Sequence, residues 1–563
     1  MIKKDIFCIL TLFFSVSCFS QSRTFENPPK LIVGIVIDQL RFDHLYKYQD
    51  KYSEGGIKRL ITNGYNFKNT HYNYVPTETA PGHASIYTGT TPSINGIIGN
   101  SWYDRFTKVE VGNVKDSTTI IIGSDQPNSN GISPKNLLTT TISDELRMSN
   151  QFRSKVISIS LKDRGAVLPG GYTANASYWH DWQTSSGNFV SSSYYMDVLP
   201  KWVKDFNKQK KSDRYLNNTW NTLFPIESYT ESAPDDNDFE RILQGNKKPV
   251  FPYDFKELRK IYKSLGREYI LMWLSPFGNT ILTEFAKEAI KHERLGEDKH
   301  TDLLNISYSV LDVLGHTVGP QSVEFQDAYL RLDRNIESLL SFLDTQIGLE
   351  NYIVFLTSDH GSVPTSSYLE KHNLKTGISR VNEYEDKLSK FLIKKYGQDK
   401  WIQEFGYENI YLDRDKIIDA NLNLIDFQTT VANFLYDQKG VSTVLTAQQL
   451  RVNEYKNGVA SMLQKGYNPR RSGDVVMTFS SGFKPSKDPK LNANGVKGTT
   501  HGSAFTYDTH VPLLWYGKHI KSGSSTRKIA IEDIAPTLSM LLNIRLPSGA
   551  TGSPLQELLS DQG

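Results

Sequence analysis

Seven residues, Leu31-Ile32-Val33-Gly34-Ile35-Val36-Ile37, run without a polar side chain straight into Asp38. A run with no polar face suits a strand covered on both sides, the habit of strands in parallel sheets. An acid at the C-terminal end of such a strand lies where open α/β sheets bind their ligands, although Asp also caps helices. The pattern recurs. Val156-Ile157-Ser158-Ile159-Ser160-Leu161 leads to Lys162-Asp163-Arg164, Leu303 to Tyr308 leads to Asp312, and Ile353-Val354-Phe355-Leu356 leads to Asp359-His360-Gly361. Val511 to Tyr516 is a further candidate strand. Between them, Val323, Tyr329, Leu330, Ile336, Leu339, Leu340 and Leu343 recur at helical spacing before Gly348, and residues 280–292 carry a similar face. This alternation predicts an α/β fold, a three-layer α/β/α sandwich with a mostly parallel central sheet.

Two stretches fit the sheet less well. Residues 168–275 are rich in Gly, Ser, Asn, Tyr and Trp, and residues 362–500 mix short helices (383–396, 446–464) with polar loops. Both are expected to be insertions in a single catalytic domain spanning 21–563. Residues 1–20 read as a signal peptide: Lys3 and Lys4 precede an apolar run from Ile6 to Phe14, too short to span a bilayer, and small residues follow. Cleavage near Ser20 is expected, in preference to lipidation of Cys18, because Ser15-Val16-Ser17-Cys18 is a poor lipobox. No later apolar run is long enough to cross a membrane, so a periplasmic or secreted chain is expected. The two cysteines, Cys8 and Cys18, both lie in this leader. The mature chain then has no disulfide and no thiolate, and any metal must be held by His and carboxylate. A net charge of +3 over 563 residues, without a basic stripe, gives no sign of a nucleic-acid partner.

The residues able to carry chemistry fall into a few groups. Val75-Pro76-Thr77-Glu78-Thr79-Ala80-Pro81-Gly82-His83-Ala84-Ser85 reads as a turn feeding a helix, with Thr79 as its N-cap. A hydroxyl there sits beside free N–H groups and the positive end of the helix dipole, a good place to attack an anionic ester. Asp312-Val313-Leu314-Gly315-His316 sets an acid and a histidine four apart, Asp359 and His360 are adjacent, and His501 stands in a polar loop. With Asp38 these make three Asp and three His. Each motif alone also suits a surface pair or an ordinary turn. Together they offer two sets of three, enough for two zinc sites with an open position each and for a two-metal clamp on a phosphoryl group. Among the other histidines, His83 and His510 are expected to support the site.

The order Asp38, Thr79, Asp312-x-x-x-His316-x-x-Gly319-Pro320, Asp359-His360-Gly361, His501-Gly502 resembles the alkaline phosphatase superfamily, and Asp533-Ile534-Ala535-Pro536-Thr537 is similar to its closing helix. The resemblance covers about residues 30 to 555 and is nearest to the phosphate-irrepressible alkaline phosphatases of the PafA type, in which Thr replaces the usual Ser nucleophile. It implies one Zn²⁺ held by Asp312, His316 and His501 and a second by Asp38, Asp359 and His360, with Thr79 as nucleophile and second-zinc ligand and a phospho-threonine intermediate. It implies that Asn100, Lys162 and Arg164 contact the phosphate. Lys162 and Arg164 follow Leu161 on what reads as an extended strand end, with Asp163 turned away between them. The expected activity is a broad phosphomonoesterase acting on small-molecule phosphate esters as a monomer. The rival is a phosphodiesterase or nucleotide pyrophosphatase with the same metals, in which the cationic pair is absent. A sulfatase lacks support because no Cys/Ser-x-Pro-x-Arg setting occurs at 75–85. A binding protein on a decayed enzyme fold would be expected to have lost ligands, and none is missing.

Overall fold

The apolar run forms the strand Leu31–Ile37, every residue of it buried. The computed structural model describes residues 27–126, 130–183, 186–397, 400–488 and 496–559, so the expected signal peptide and both cysteines lie outside the described residues. Leu31–Ile37 pairs in parallel with Asp302–Tyr308 on one side and Tyr352–Thr357 on the other. Val156–Ser160 extends the parallel set beside Asp302–Tyr308, and Ala176–His180 extends it again. Beyond these five strands the pairing turns antiparallel, with Leu513–Gly517 against Tyr352–Thr357 and Phe189–Ser192 against Ala176–His180. The result is a mixed sheet of eleven strands, parallel in its centre and largely antiparallel at both flanks, with Tyr65–Phe67 and Gly523–Ser525 parallel at one edge.

Alternation along the first strand builds the three layers. Leu31, Val33, Ile35 and Ile37 point into a core shared with Phe285 of the helix Phe277–His292 and with Leu339 of the helix Val323–Gln346. Ile32 and Val36 point the other way, into a core with Ile86, Tyr87, Ile534 and Leu538. A strand buried on both faces has no polar positions left, which is why the sequence shows none.

Two features differ from the expected layout. Ala176–His180 and Phe189–Ser192 lie within 168–275 yet belong to the main sheet. Their serines are buried, and Ser191 Oγ donates to the Ser177 carbonyl at 2.9 Å and Ser192 Oγ to the Ile132 carbonyl at 2.5 Å, so hydroxyl-rich sequence here does not mean loop. Within 362–500, the strands Ile402–Phe405, Asn409–Leu412, Val475–Phe479 and Val441–Thr446 form a separate four-stranded sheet. That sheet packs its own core, including Tyr384, Leu388, Phe427 and Val431 from the helices Val381–Tyr396 and Leu424–Tyr436. The helical stretch expected at 446–464 is two helices, Ala447–Val452 and Gly458–Gly466. Among the described residues no helix is long and apolar enough to cross a membrane.

Candidate active site

The acids that end the central strands converge. Asp38 follows Leu31–Ile37, and Asp359 and His360 follow Tyr352–Thr357, its parallel neighbour. All three are fully buried. His360 Nε2 lies 3.5 Å from Asp38 Oδ1 and 3.8 Å from Asp359 Oδ2. Asp312 and His316 lie one turn apart on the helix Val310–Val318, so both side chains leave the same face. His316 Nε2 is 3.1 Å and His501 Nε2 3.6 Å from Asp312 Oδ1. Within each set the donor atoms lie inside 4.8 Å of one another. The sets adjoin, since the His360 and His501 rings stack at 3.7 Å.

These residues fit metal ions on three independent grounds. Asp38 Oδ1, Asp359 Oδ2 and His360 Nε2 are buried without any hydrogen-bond partner, an arrangement too costly to keep unless a cation completes it. Each histidine sets its Nδ1 against a backbone carbonyl: His316 against Thr499 at 3.1 Å, His360 against Gly361 at 2.9 Å, and His501 against Thr77 at 2.8 Å. With Nδ1 donating, every Nε2 lone pair is free for a metal. The all-N/O donor set suits zinc.

A cation of the chain bridges the sets. Lys162 Nζ lies 2.6 Å from Asp38 Oδ2 and 2.6 Å from Asp312 Oδ2. Gln39, left-handed at φ 65°, adds a second bridge: its Nε2 donates to Asp312 Oδ1 at 2.6 Å and its backbone N–H to Asp359 Oδ1 at 3.2 Å. Gly315 makes room, because a Cβ there would lie 1.9 Å from Gln39 Oε1. Burial would push the Asp312 carboxyl up, but His316 and Lys162 outweigh it and hold it well below the usual carboxylate range. Burial and the adjacent Asp38 push Asp359 well above that range. Burial, helped by His360, depresses His501 strongly.

The expected strand-end placement of Lys162 and Arg164 is corrected. The strand stops at Ser160, Lys162 is the N-cap, and the helix Asp163–Gly170 already includes Arg164. Helical geometry therefore decides their directions. Lys162 turns inward to the two aspartates. Arg164 keeps its Nη1 3.9 Å from Asp163, and its Nε is buried without a partner.

Thr79 is the first residue of the helix Thr79–Thr88 rather than its cap; Glu78 takes the cap position. Thr79 is buried, and no hydrogen bond ties down its hydroxyl among the described residues. Glu78 Oε2 accepts from Asn100 N–H at 2.7 Å, and Asn100 Oδ1 accepts from Ala80 N–H at 3.0 Å, which fixes Asn100 beside the helix start. Gly82 brings this helix against the metal cluster, since a Cβ there would meet the Asp359 carbonyl at 2.3 Å. His83 reaches between helix and sheet: its Nδ1 is 2.8 Å from the Thr79 carbonyl and 3.4 Å from Asp359 Oδ2, and its Nε2 is 2.9 Å from Ser307 Oγ. His510, expected to support the site, instead stacks on Phe42 and His71 and meets the Lys68 carbonyl at 3.0 Å.

Gln39, Glu78 and the Thr499 carbonyl escaped the sequence. Gln39 and Glu78 adjoin the recognised Asp38 and Thr79, and that adjacency was the available signal; a backbone carbonyl leaves none.

Comparison with known proteins agrees with this geometry. The family model for type I phosphodiesterase / nucleotide pyrophosphatase matches residues 32–504. The alkaline phosphatase PhoV of Synechococcus elongatus is 42% identical, covering 94% of this chain and 93% of that protein. The alkaline phosphatase PafA of Elizabethkingia meningoseptica is 40% identical, covering 94% of each. A crystal structure of wild-type alkaline phosphatase PafA superposes with a TM-score of 0.88 at 39% identity, covering 95% of this chain and 99% of that one.

Proposed function

This chain belongs to the type I phosphodiesterase / nucleotide pyrophosphatase family and to its alkaline phosphatase branch, and from that premise we propose that it is a metal-dependent phosphomonoesterase of broad specificity. The observation that carries the reading is the pair of three-residue donor sets lying side by side with the start of the Thr79 helix packed against them. Asp38, Asp359 and His360 would hold one ion and Asp312, His316 and His501 the other; we assign both as zinc. Two such ions, when bound, make hydroxyl groups acidic near neutral pH and neutralise charge that develops on phosphate oxygens.

The chain's own groups do the rest. Thr79 Oγ1 gives up its proton and forms a bond to phosphorus as the ester P–O bond breaks, the leaving alcohol taking up a proton. Water then cleaves the phospho-threonine and releases inorganic phosphate. Asn100 is held so that its side-chain N–H₂ is free to donate to a phosphate oxygen, because Ala80 already occupies its Oδ1. Lys162 and Arg164 supply positive charge for the further oxygen that only a monoester exposes. The diesterase reading, favoured by the name of the matching family model, has no use for that pair. We further assign residues 1–20 as a cleaved signal peptide directing export to the periplasm or beyond, and treat 21–563 as one catalytic domain that acts as a monomer. The test is turnover of a matched aryl monoester and diester by one preparation: the monoester should have the higher kcat/KM, and a preference for the diester would refute the reading.

A further inference from the structure

Between the inserted four-stranded sheet and the loop carrying His501 lies a chamber of about 40 Å³. Val75, Tyr467, Met477 and Phe479 supply much of its apolar wall, and Thr500 and His501 line it as well. It therefore adjoins the histidine that completes the Asp312 set. The loop is fixed in place, since Thr77 Oγ1 donates to the Ser503 carbonyl at 3.0 Å.

Two carboxyl groups line this apolar space without a cation of their own. Asp508 is 1% exposed; its Oδ2 accepts from Ser503 N–H at 2.8 Å, while its Oδ1 is buried with no partner. Glu408, just before the strand Asn409–Leu412, has no salt bridge or side-chain hydrogen bond among the described residues. The nearest cations are engaged elsewhere, Arg41 with Asp43 and Lys487 with the Phe405 carbonyl. Burial raises Asp508 to about 7, and burial together with the Glu78 carboxylate raises Glu408 to about 8.

We propose that this chamber receives the alcohol side of the substrate and, within a broad specificity, favours phosphate monoesters of primary amino alcohols. The proposal rests on the phosphomonoesterase reading. An ammonium group brings three donors, no acceptor and the positive charge that two acids in an apolar wall lack. The space permits it. A water needs only roughly 10–15 Å³, so the chamber is large enough to admit an ammonium and its methylene.

The test compares kcat/KM for O-phosphoethanolamine, its neutral isostere propyl phosphate, phosphocholine and an aryl phosphate at about pH 8, where the amine is still protonated. Wild type should favour O-phosphoethanolamine over propyl phosphate by roughly tenfold or more, with phosphocholine below O-phosphoethanolamine. Glu408→Gln and Asp508→Asn, each keeping a hydrogen-bonding amide, should shrink that ratio several-fold. Glu408 lies in the inserted sheet's turn, so its variant stands as the main reading should Asp508→Asn fold poorly. A wild-type ratio of one or less, or a ratio unchanged in Glu408→Gln, with the aryl phosphate still turned over, would overturn this proposal alone. No turnover of any of the four would overturn the phosphomonoesterase reading and this proposal with it.

Discussion

Thr79 is the residue at which the proposed chemistry is most exposed to test. Its hydroxyl sits at a helix start packed against Asp359, and only an oxygen nucleophile there gives a covalent route. Thr79→Ala should lower kcat/KM by about three orders of magnitude, or ~4 kcal/mol, while Thr79→Ser should keep part of the activity. Acid-quenched wild type should carry its phosphate on Thr79; phosphate found on another residue would show the nucleophile to be wrongly assigned. Lys162 and Arg164 make a second test. Replacing both with Ala should cost monoester hydrolysis roughly 30- to 1000-fold and diester hydrolysis far less. Because Lys162 bridges Asp38 and Asp312, the comparison must be made at equal metal content. Equal losses on both esters at that metal content would mean that the pair does not set the monoester preference. At this scale the ligands were legible because Asp and His stood at the ends of apolar runs. Gln39 was not: its role comes from a left-handed backbone that aims it at both sets, and one glutamine in a sequence does not announce its φ.

The elements were legible where periodicity was strong and less so at their ends. The helix Val323–Gln346 and four of the five parallel strands follow from apolar spacing alone. Cap positions did not, since Glu78 and Lys162 each displaced the expected boundary by a residue or two. The strands Ala176–His180 and Phe189–Ser192 hid behind serines that the fold buries. One element pair carries a stability prediction. Glu324, on the helix Val323–Gln346, and Glu240, from the segment packed over it, are both buried. Burial raises both carboxyls; the Glu324 charge raises Glu240 further, while the hydrogen bond with Glu240 offsets part of the rise at Glu324. Groups whose folded pKa is raised contribute stability that is fully present below the ordinary carboxylate value and lost as pH rises through the folded one. The fold should therefore weaken toward alkaline pH. Glu324→Gln keeps an acceptor for Tyr253 Oη, now 2.5 Å from Glu324 Oε1, and removes the charge. Its Tm at about pH 9 should rise by roughly 2–4 °C relative to wild type, with little change at about pH 5. A Tm lowered equally at both would show that the pair contributes through packing instead.

For the whole molecule, the parallel centre of the sheet gathers strand ends, the helix Thr79–Thr88 packs against them at Gly82, and the inserted sheet faces the loop of His501. The six donors come from four separate places in the chain, 38, 312–316, 359–360 and 501, and only the complete fold brings them together. The α/β class could be read from the alternation of runs, and the family from the order of motifs. The antiparallel flanks could not, because strand direction depends on connections the sequence does not spell out. On the proposed mechanism these six residues hold two ions without which Thr79 is inert. The most direct measurement strips the purified full chain with chelator, then adds zinc in steps while bound metal and monoester turnover are followed together. Activity should rise from near zero and level off at about two zinc ions per chain; full turnover by chelated protein with no metal detectable in it would contradict the account.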